Sequence, residues 1–539
     1  MTPIRFTKVA GSSQVSRARG VIRGLPLGGR PALALIAAAG LLALLPALAR
    51  MHDAVSGMDE GQLLVYPERL LAGEVPGRDF NTVYGPGVHW LLAGAYALLG
   101  PSVAVERAVG LLLRAAIVVA TGWLAGRSSL RAGLGGAVLC GLWLSCVAPV
   151  AQAWFAALAG ALVATAALVG ATRRAGAGGA ALPALAGLAA AFALTCRIEF
   201  VVPVGLAAAA LWPALDRRAR RAFLLAALVG LVPLAIHIAV VSPTRVLDNW
   251  FTGPVLRSSP ARRLPLVGYG GPARNATLLA LMAAIAVLLW AGVRRLRAAA
   301  PRDAGARASL AVAALSLGLL PYALQRTDLS HLRHAGCVPL ALLPAALGEL
   351  ASRPGRRRAR LEWDALLAVG VLTLASRSTE EYRALRLAPD PVPVEHAGRT
   401  LYVAASLAGD LRALLAWLDE HVPASSRLFI GPRDLDRPIY NDTALYFLLP
   451  DLRPASWHLE LNPGDADRED SGLAEDVATA DVVVLTGRYD AWREPNASAR
   501  RGSGRAGSVV SERFEVAESF GPWDVYRRRE ATAAGRQGP

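Results

Sequence analysis

Residues 56–90 read SGMDEGQLLVYPERLLAGEVPGRDFNTVYGPGVHW. An apolar run over 31–49 precedes this stretch, and a chain rich in Ala, Leu, Val and Gly follows it. Asp59 and Glu60 are adjacent, and Glu68, Glu74 and Asp79 come soon after. The segment GQLLVYPERLLAG has apolar residues at helical spacing and predicts an amphipathic helix. VPGRDFNTVYGPG is turn chemistry that returns the chain towards the membrane. The apolar stretch 86–100, with His89 and Trp90, is short for a span and predicts an interfacial helix. Together they form a platform that holds Asp59 and Glu60 at the boundary of water and lipid. A carboxylate there loses hydration, so it is solvated, paired or functional. The plain alternative is a solvated, charge-rich loop.

Composition sets the frame. The 539-residue chain is 54% hydrophobic, with a mean hydropathy of +0.38. Its apolar runs are long enough to cross a hydrocarbon core of about 30 Å. A net charge of +16 comes almost wholly from arginine, since Lys8 is the sole lysine. The arginines cluster between apolar runs, which is a mark of membrane topology and excludes nucleic acid as a partner. Cys140, Cys146, Cys196 and Cys337 all lie in apolar runs without histidine partners at zinc-site spacing, so they read as packing residues.

Charge asymmetry orders the chain. Residues 1–30 form a basic cytoplasmic N-terminal tail, with a span over 31–49 behind it. Further spans are expected near 103–126, 132–149, 151–172, 179–196, 199–215, 222–242, 276–293, 308–325, 335–350 and 363–377. Arginine pairs then fall on the cytoplasmic side, as at Arg173-Arg174, Arg217-Arg218, Arg294-Arg295 and Arg356-Arg357. The result is a mainly α, polytopic chain of about 11 transmembrane helices over 31–377, multi-pass in the cell (inner) membrane. Loop 50–102 lies outside, and residues 378–539 form a small extracytoplasmic α/β domain. In that domain LAGDLRALLAWLDEHVP predicts a helix. RLFIG (427–431) and DVVVLTG (481–487) predict buried strands, AEDVATA a helix, and FEVAESFGPWDVYRR a closing hairpin. Residues 494–508 have the composition of a flexible loop. The Asn-x-Ser/Thr sites at Asn275, Asn441 and Asn496 occur often by chance.

The order of features is a first span, Asp59-Glu60, an amphipathic helix ending in Gly, and a Pro-containing turn. An aromatic helix closing on Leu98-Leu99-Gly100 follows, and then Arg107. This order resembles the integral-membrane GT-C glycosyltransferases, specifically the protein O-mannosyltransferases and aminoarabinose transferases, most closely over 31–200. The resemblance implies a sugar donor linked to polyprenyl phosphate, used at the outer face, and a glycan, lipid or protein acceptor whose nucleophile attacks the anomeric carbon. An inverting outcome is implied as well. Such transfer needs a carboxylate to take the acceptor's proton and cations to stabilise the departing phosphate. On this resemblance Asp59 is the general base. Glu60 either orients the acceptor or caps the following helix.

Arg197, in LTCRIEF at an outer boundary, is the first candidate for the donor phosphate, with a snorkelling arginine as its plain alternative. Arg78 and Arg107 are further candidates. The aminoarabinose transferases carry a lysine just before the proline of the return turn, whereas this chain has Asn81-Thr82-Val83-Tyr84-Gly85-Pro86. Tyr84 and His89 are candidate pocket residues, as are Arg326, Asp328 and His331 from LQRTDLSHLRHAG (324–336). That segment reads equally as a polar turn capping two helices. No metal ligand is assigned, although a divalent cation is compatible with the chemistry. Loop 243–275, with Trp250, Phe251 and several arginines, suits contact with lipid headgroups or lipid-linked substrate and equally suits a plain connection. Competing functions are a transporter or flippase of lipid-linked glycans, which calls for internal repeats and charged mid-membrane helices, and an inactive membrane scaffold.

Overall fold

The structure is a computed structural model that describes residues 30–173, 179–351, 356–377 and 391–530. The basic tail before Arg30, Arg174 and the first part of the C-terminal domain lie outside those residues.

The first half is helical. Helix α1 (Arg30–Arg50) leads to the platform pair α2 (Gly61–Leu71) and α3 (Gly87–Leu99), then to α4 (Val103–Gly126). The series continues with α5 (Leu130–Leu144), α6 (Ala153–Arg173), α7 (Ala181–Cys196), α8 (Ile198–Ala214) and α9 (Arg217–Val241). After a long connection come α10 (Pro272–Arg297), α11 (Ala304–Gln325), α12 (Leu329–Leu350) and α13 (Arg356–Arg377). Among the described residues six helices, α1, α4, α6, α9, α10 and α11, are long and apolar enough to cross a membrane. The protein is thus a multi-pass membrane protein. α3, α5, α7 and α8 are apolar but shorter. All four cysteines are free.

Turn polarity sets the helix starts. Ser102 Oγ accepts from the Val105 amide (3.2 Å) and Ser129 Oγ from that of Ala132 (3.0 Å). Asp328 caps α12 through the His331 amide (2.9 Å). Each satisfies a donor that a helix end otherwise leaves open. α9 shows the lipid-facing case: Leu225, Leu228, Val229 and Ile236 are all exposed.

The C-terminal region is a mixed sheet flanked by helices. A hairpin of β1 (Val392–His396) and β2 (Arg399–Val403) precedes α14 (Ala405–His421). β3 (Arg427–Pro432), β4 (Arg453–Pro454), β5 (Val482–Thr486), β6 (Phe514–Phe520) and β7 (Trp523–Arg528) form a sheet of order β4-β3-β5-β7-β6. β3 runs parallel to β4 and β5, and β7 antiparallel to β5 and β6. Alternate strand residues face opposite sides. Phe429, Val483 and Leu485 pack on α15 (Leu473–Ala478) and α16 (Arg505–Arg513). Leu428, Ile430, Val484 and Val525 share a core with α14 and with Leu64, Val65, Tyr66 and Phe80 of the platform. The sheet therefore sits directly on α2.

The segment 494–508 departs from the flexible loop that its composition suggests. Glu494 is tied to Arg326, Asn496 Oδ1 accepts from the Ser498 amide (3.1 Å), and α16 starts at Arg505. Long-range pairing, invisible in local composition, orders it.

Candidate active site

Asp59 lies in the turn that begins α2, and the C-terminal domain clamps that turn. The Ala444 amide donates to the Gly57 carbonyl (2.8 Å) and the Val55 amide to that of Tyr402 (2.8 Å). At Gly61 a Cβ would come within 2.4 Å of the Ala444 nitrogen, so only glycine lets the two backbones approach this closely. Asp442, buried in the same turn as Ala444, accepts from Trp523 Nε1 (2.9 Å) and Arg488 (2.6 Å).

Asp59 opens into a cavity of about 140 Å3 between the helical bundle and the sheet domain. Among the described residues its carboxylate makes no hydrogen bond or ion pair. Burial raises its pKa above the usual carboxylate range, Asp328 adds to that, and His331, Arg262 and Arg326 oppose it. Glu460 faces the same cavity from the connection between β4 and β5. Burial, together with the Asp59 charge and against the pull of Arg262, lifts it to about 8. Near neutrality Glu460 therefore holds a proton beside Asp59. Asn441 places this wall, its amide donating to the carbonyls of Ile430 (3.0 Å) and Leu459 (3.1 Å). That fixes Tyr440 and Glu460 on the cavity lining.

Cations and aromatic rings complete the lining. Arg197, at the end of α7, is ion-paired with Glu199 and stands over the rings of Tyr84 (5.0 Å) and Tyr322 (5.3 Å). Arg262 comes from a four-residue helical turn, Ser259–Arg262. A run of π-helical turns, Asp248–Arg257, precedes it, and Arg257 anchors that run to Asp248 (2.5 Å) and to Asp465 (3.0 Å) of the C-terminal domain. The connection 243–275 is thus pinned at its centre. Among the described residues the Arg262 guanidinium makes no hydrogen bond or ion pair. Trp154 stacks on Tyr322 (5.0 Å) and His334 (5.6 Å), and Tyr322 Oη lies 3.2 Å from His334 Nδ1.

Arg326 pairs with Asp328 (3.0 Å) and with both oxygens of Glu494 (2.5 and 3.1 Å). His331 Nδ1 lies 2.9 Å from Asp328. Burial alone would raise the Asp328 carboxyl, but His331 and Arg326 outweigh it and hold the group well below its ordinary range.

The structure thus brings Asp59, Tyr84, Arg197, Arg326 and His331 to one cavity, with Asp328 bonded behind the last two. It places four other candidates elsewhere. Glu60 is buried and receives Arg107 through both oxygens, Nε to Oε1 (2.7 Å) and Nη2 to Oε2 (3.0 Å). Its side chain does not cap α2. Arg107 also donates to the carbonyls of Met51 and Asp53 (2.9 Å each), so this pair braces the chain entering the site. Arg78 is exposed and paired with Asp79 (2.8 Å). His89 is buried edge-on to Tyr66 (5.3 Å). Sequence reasoning missed Arg262, Glu460, Tyr440 and Trp154. Only the arginine-rich loop 243–275 carried a signal, for Arg262. Among the described residues no three His, Cys, Asp or Glu side chains converge as a metal site.

A bundle of membrane-length helices, an amphipathic platform and a cavity roofed by loops of the C-terminal region make up the fold. Two solved structures share it with this chain: ArnT from Cupriavidus metallidurans, an aminoarabinose transferase, bound to undecaprenyl phosphate and in the apo state. The first aligns at a TM-score of 0.56 over 92% of this chain and 98% of its own, the second at 0.51 over 90% and 96%. Identity is 13% in both, so the likeness is one of fold. No family model and no curated sequence matches the chain.

Proposed function

We propose that this protein is a glycosyltransferase that moves a sugar from a polyprenyl-phosphate donor to an acceptor at the outer face of the membrane. The observation that carries this reading is the Asp59 carboxylate, without a partner among the described residues and held in a cavity that also offers Arg262, likewise unpartnered among them, and the Arg197–Tyr84 contact. In this reading the acceptor hydroxyl oxygen attacks the anomeric carbon while the bond from that carbon to the phosphate oxygen breaks. Asp59 takes the hydroxyl proton as general base. Arg262 and Arg197 take up the charge that develops on the departing phosphate. Protonated Glu460 donates a hydrogen bond at the sugar and leaves Asp59 as the anion. Trp154 and Tyr322 supply flat apolar surface for a sugar face or the first isoprene units. Direct displacement from one side gives inversion.

The fold likeness to a protein that binds undecaprenyl phosphate supports the donor class. At the return turn the chain departs from the aminoarabinose transferases. A Cβ at Gly85, the position before the proline, would lie 2.2 Å from the Thr195 carbonyl. No lysine fits there, and the segment that excludes it brings Arg197 instead. The same reading places about eleven spans in the cell membrane, with the N-terminus cytoplasmic and 378–539 outside.

The test is an assay in membranes expressing wild type or Asp59→Asn at equal level, using radiolabelled polyprenyl-phosphate sugars and endogenous acceptors. Transfer that depends on Asp59 is expected. Transfer undiminished by Asp59→Asn removes the base from the proposal. No transfer from any donor, with net lipid-glycan translocation instead, favours the transporter reading.

A further inference from the structure

At the opposite end of the bundle, α1, α4, α6 and α7 leave a groove of about 630 Å3, within the roughly 300–1,000 Å3 of typical ligand sites. Trp154 of α6 lines the Asp59 cavity and Arg173 of the same helix lines the far end of this groove, which puts those two residues roughly 30 Å apart at the helical rise. Small residues line it, among them Ala120, Ala166 and Gly170, so space that larger side chains would fill stays open. Trp123 stands beside Gly170. Leu33 and Leu185 on its lining are exposed, so the groove reaches the lipid-facing surface.

Its polar lining is cationic: Arg30, Arg127 and Arg173. Among the described residues Arg127 has a buried Nε without a partner, and its Nη2 donates a long bond to the Gly305 carbonyl (3.4 Å). Its charged neighbours are Arg173, Arg295 and Glu349. Glu349 is already engaged by Arg295 (2.9 Å) and Ser309 (2.9 Å). Positive charge is therefore in surplus beside an apolar slot. The adjoining chain adds no anion. Residues 1–29 and 174–178 contain neither Asp nor Glu, and they carry further arginines and Lys8. A basic pocket between membrane helices on the cytoplasmic side suits an anionic lipid head group.

We propose that this groove binds one anionic phospholipid of the leaflet opposite the Asp59 cavity, with an acyl chain along Ala120, Ala166 and Gly170 and the phosphate on Arg127 and Arg173. The inference needs only a membrane chain and does not depend on the transferase reading.

The test places full-length protein in phosphatidylcholine vesicles and adds brominated phosphatidylglycerol or brominated phosphatidylcholine. Trp123 quenching is read as the difference between wild type and Trp123→Phe. Brominated phosphatidylglycerol is expected to quench at a mole fraction lower by roughly tenfold or more. Arg127→Gln/Arg173→Gln should bring the two lipids level, and Ala166→Phe should reduce quenching by both. Equal quenching in wild type, or an undiminished preference in the double variant, overturns the proposal. Quenching by neither lipid also overturns it, since the chain itself or a second copy would then fill the groove. Should the double variant not fold, the wild-type preference decides alone.

Discussion

Asp59 and Glu60 are neighbours in the sequence, of the same chemistry and in the same turn, yet they belong to different regions of the molecule. Asp59 faces a cavity roofed by the C-terminal domain and has no partner among the described residues. Glu60 turns inward and receives two hydrogen bonds from Arg107, whose remaining donor reaches the carbonyls at the end of α1. Deeper in, Glu106 accepts from the Ala151 amide (2.6 Å) and Arg114 donates to the Val150 carbonyl (2.9 Å). These charged groups are consumed in holding loops together. The cavity instead leaves Asp59 and Arg262 without partners among the described residues, at a cost in stability that a purely structural site would not carry.

The contrast can be broken most forcefully at its two centres. Asp59→Asn should lower transfer by ~10²–10⁴-fold, the usual contribution of a general base, with the melting temperature of the purified protein nearly unchanged. Arg107→Ala should do the reverse. Leaving Glu60 buried and unpaired costs ~3–5 kcal/mol, so folded yield and melting temperature should fall. Residual transfer per folded molecule should persist. An Arg107→Ala protein as stable as wild type would remove the brace from this account.

Arg262→Ala tests the charge held for the phosphate. Losing one charge-assisted contact worth about 1.5–3 kcal/mol should lower kcat/KM for the lipid-linked donor by roughly 10–100-fold, with little change in KM for the acceptor. Glu460→Gln sharpens the pairing of the two cavity carboxyls. Between its ordinary pKa of 4.5 and its folded value of about 8, the folded chain keeps a proton that the unfolded chain has released. This group's contribution to stability therefore falls as pH rises through that window. Glu460→Gln should gain stability relative to wild type at pH 8 and above. It should also flatten the alkaline decline of kcat/KM, which a pH profile of both proteins would show. The smallest effect is expected at Arg78→Ala, because its pair with Asp79 is exposed and screened; transfer should stay within about twofold.

Much of the scaffold could be read along the chain. The 3.6-residue pattern in GQLLVYPERLLAG gave α2, the short aromatic stretch gave α3, and the apolar runs gave the order of the long helices. In the C-terminal domain RLFIG and DVVVLTG became β3 and β5, and FEVAESFGPWDVYRR became the β6–β7 hairpin. The site was read unevenly. LQRTDLSHLRHAG concentrates polar residues between two apolar runs, and its Arg326 and His331 line the cavity. Arg78 and Arg107 carry the same charge, but one faces solvent and the other a buried carboxylate, a difference no composition records. Glu460, in the polar stretch between β4 and β5, had no distinguishing neighbours at all.

The sequence by itself determined that this is a membrane protein of many helices with acidic residues on a platform beside its first span. Hydropathy, charge and helical period are properties of short stretches, and the cost of moving each stretch from water into lipid is nearly independent of the rest of the chain. Only the tertiary structure decided which of two adjacent carboxylates is a strut and which faces the cavity. That outcome depends on Arg107 meeting Glu60, on Gly61 admitting Ala444, and on Arg262 and Glu460 reaching one cavity from distant parts of the chain. Such contacts join residues tens to hundreds of positions apart, and the direction of a buried side chain is fixed by whichever of them removes the larger desolvation cost.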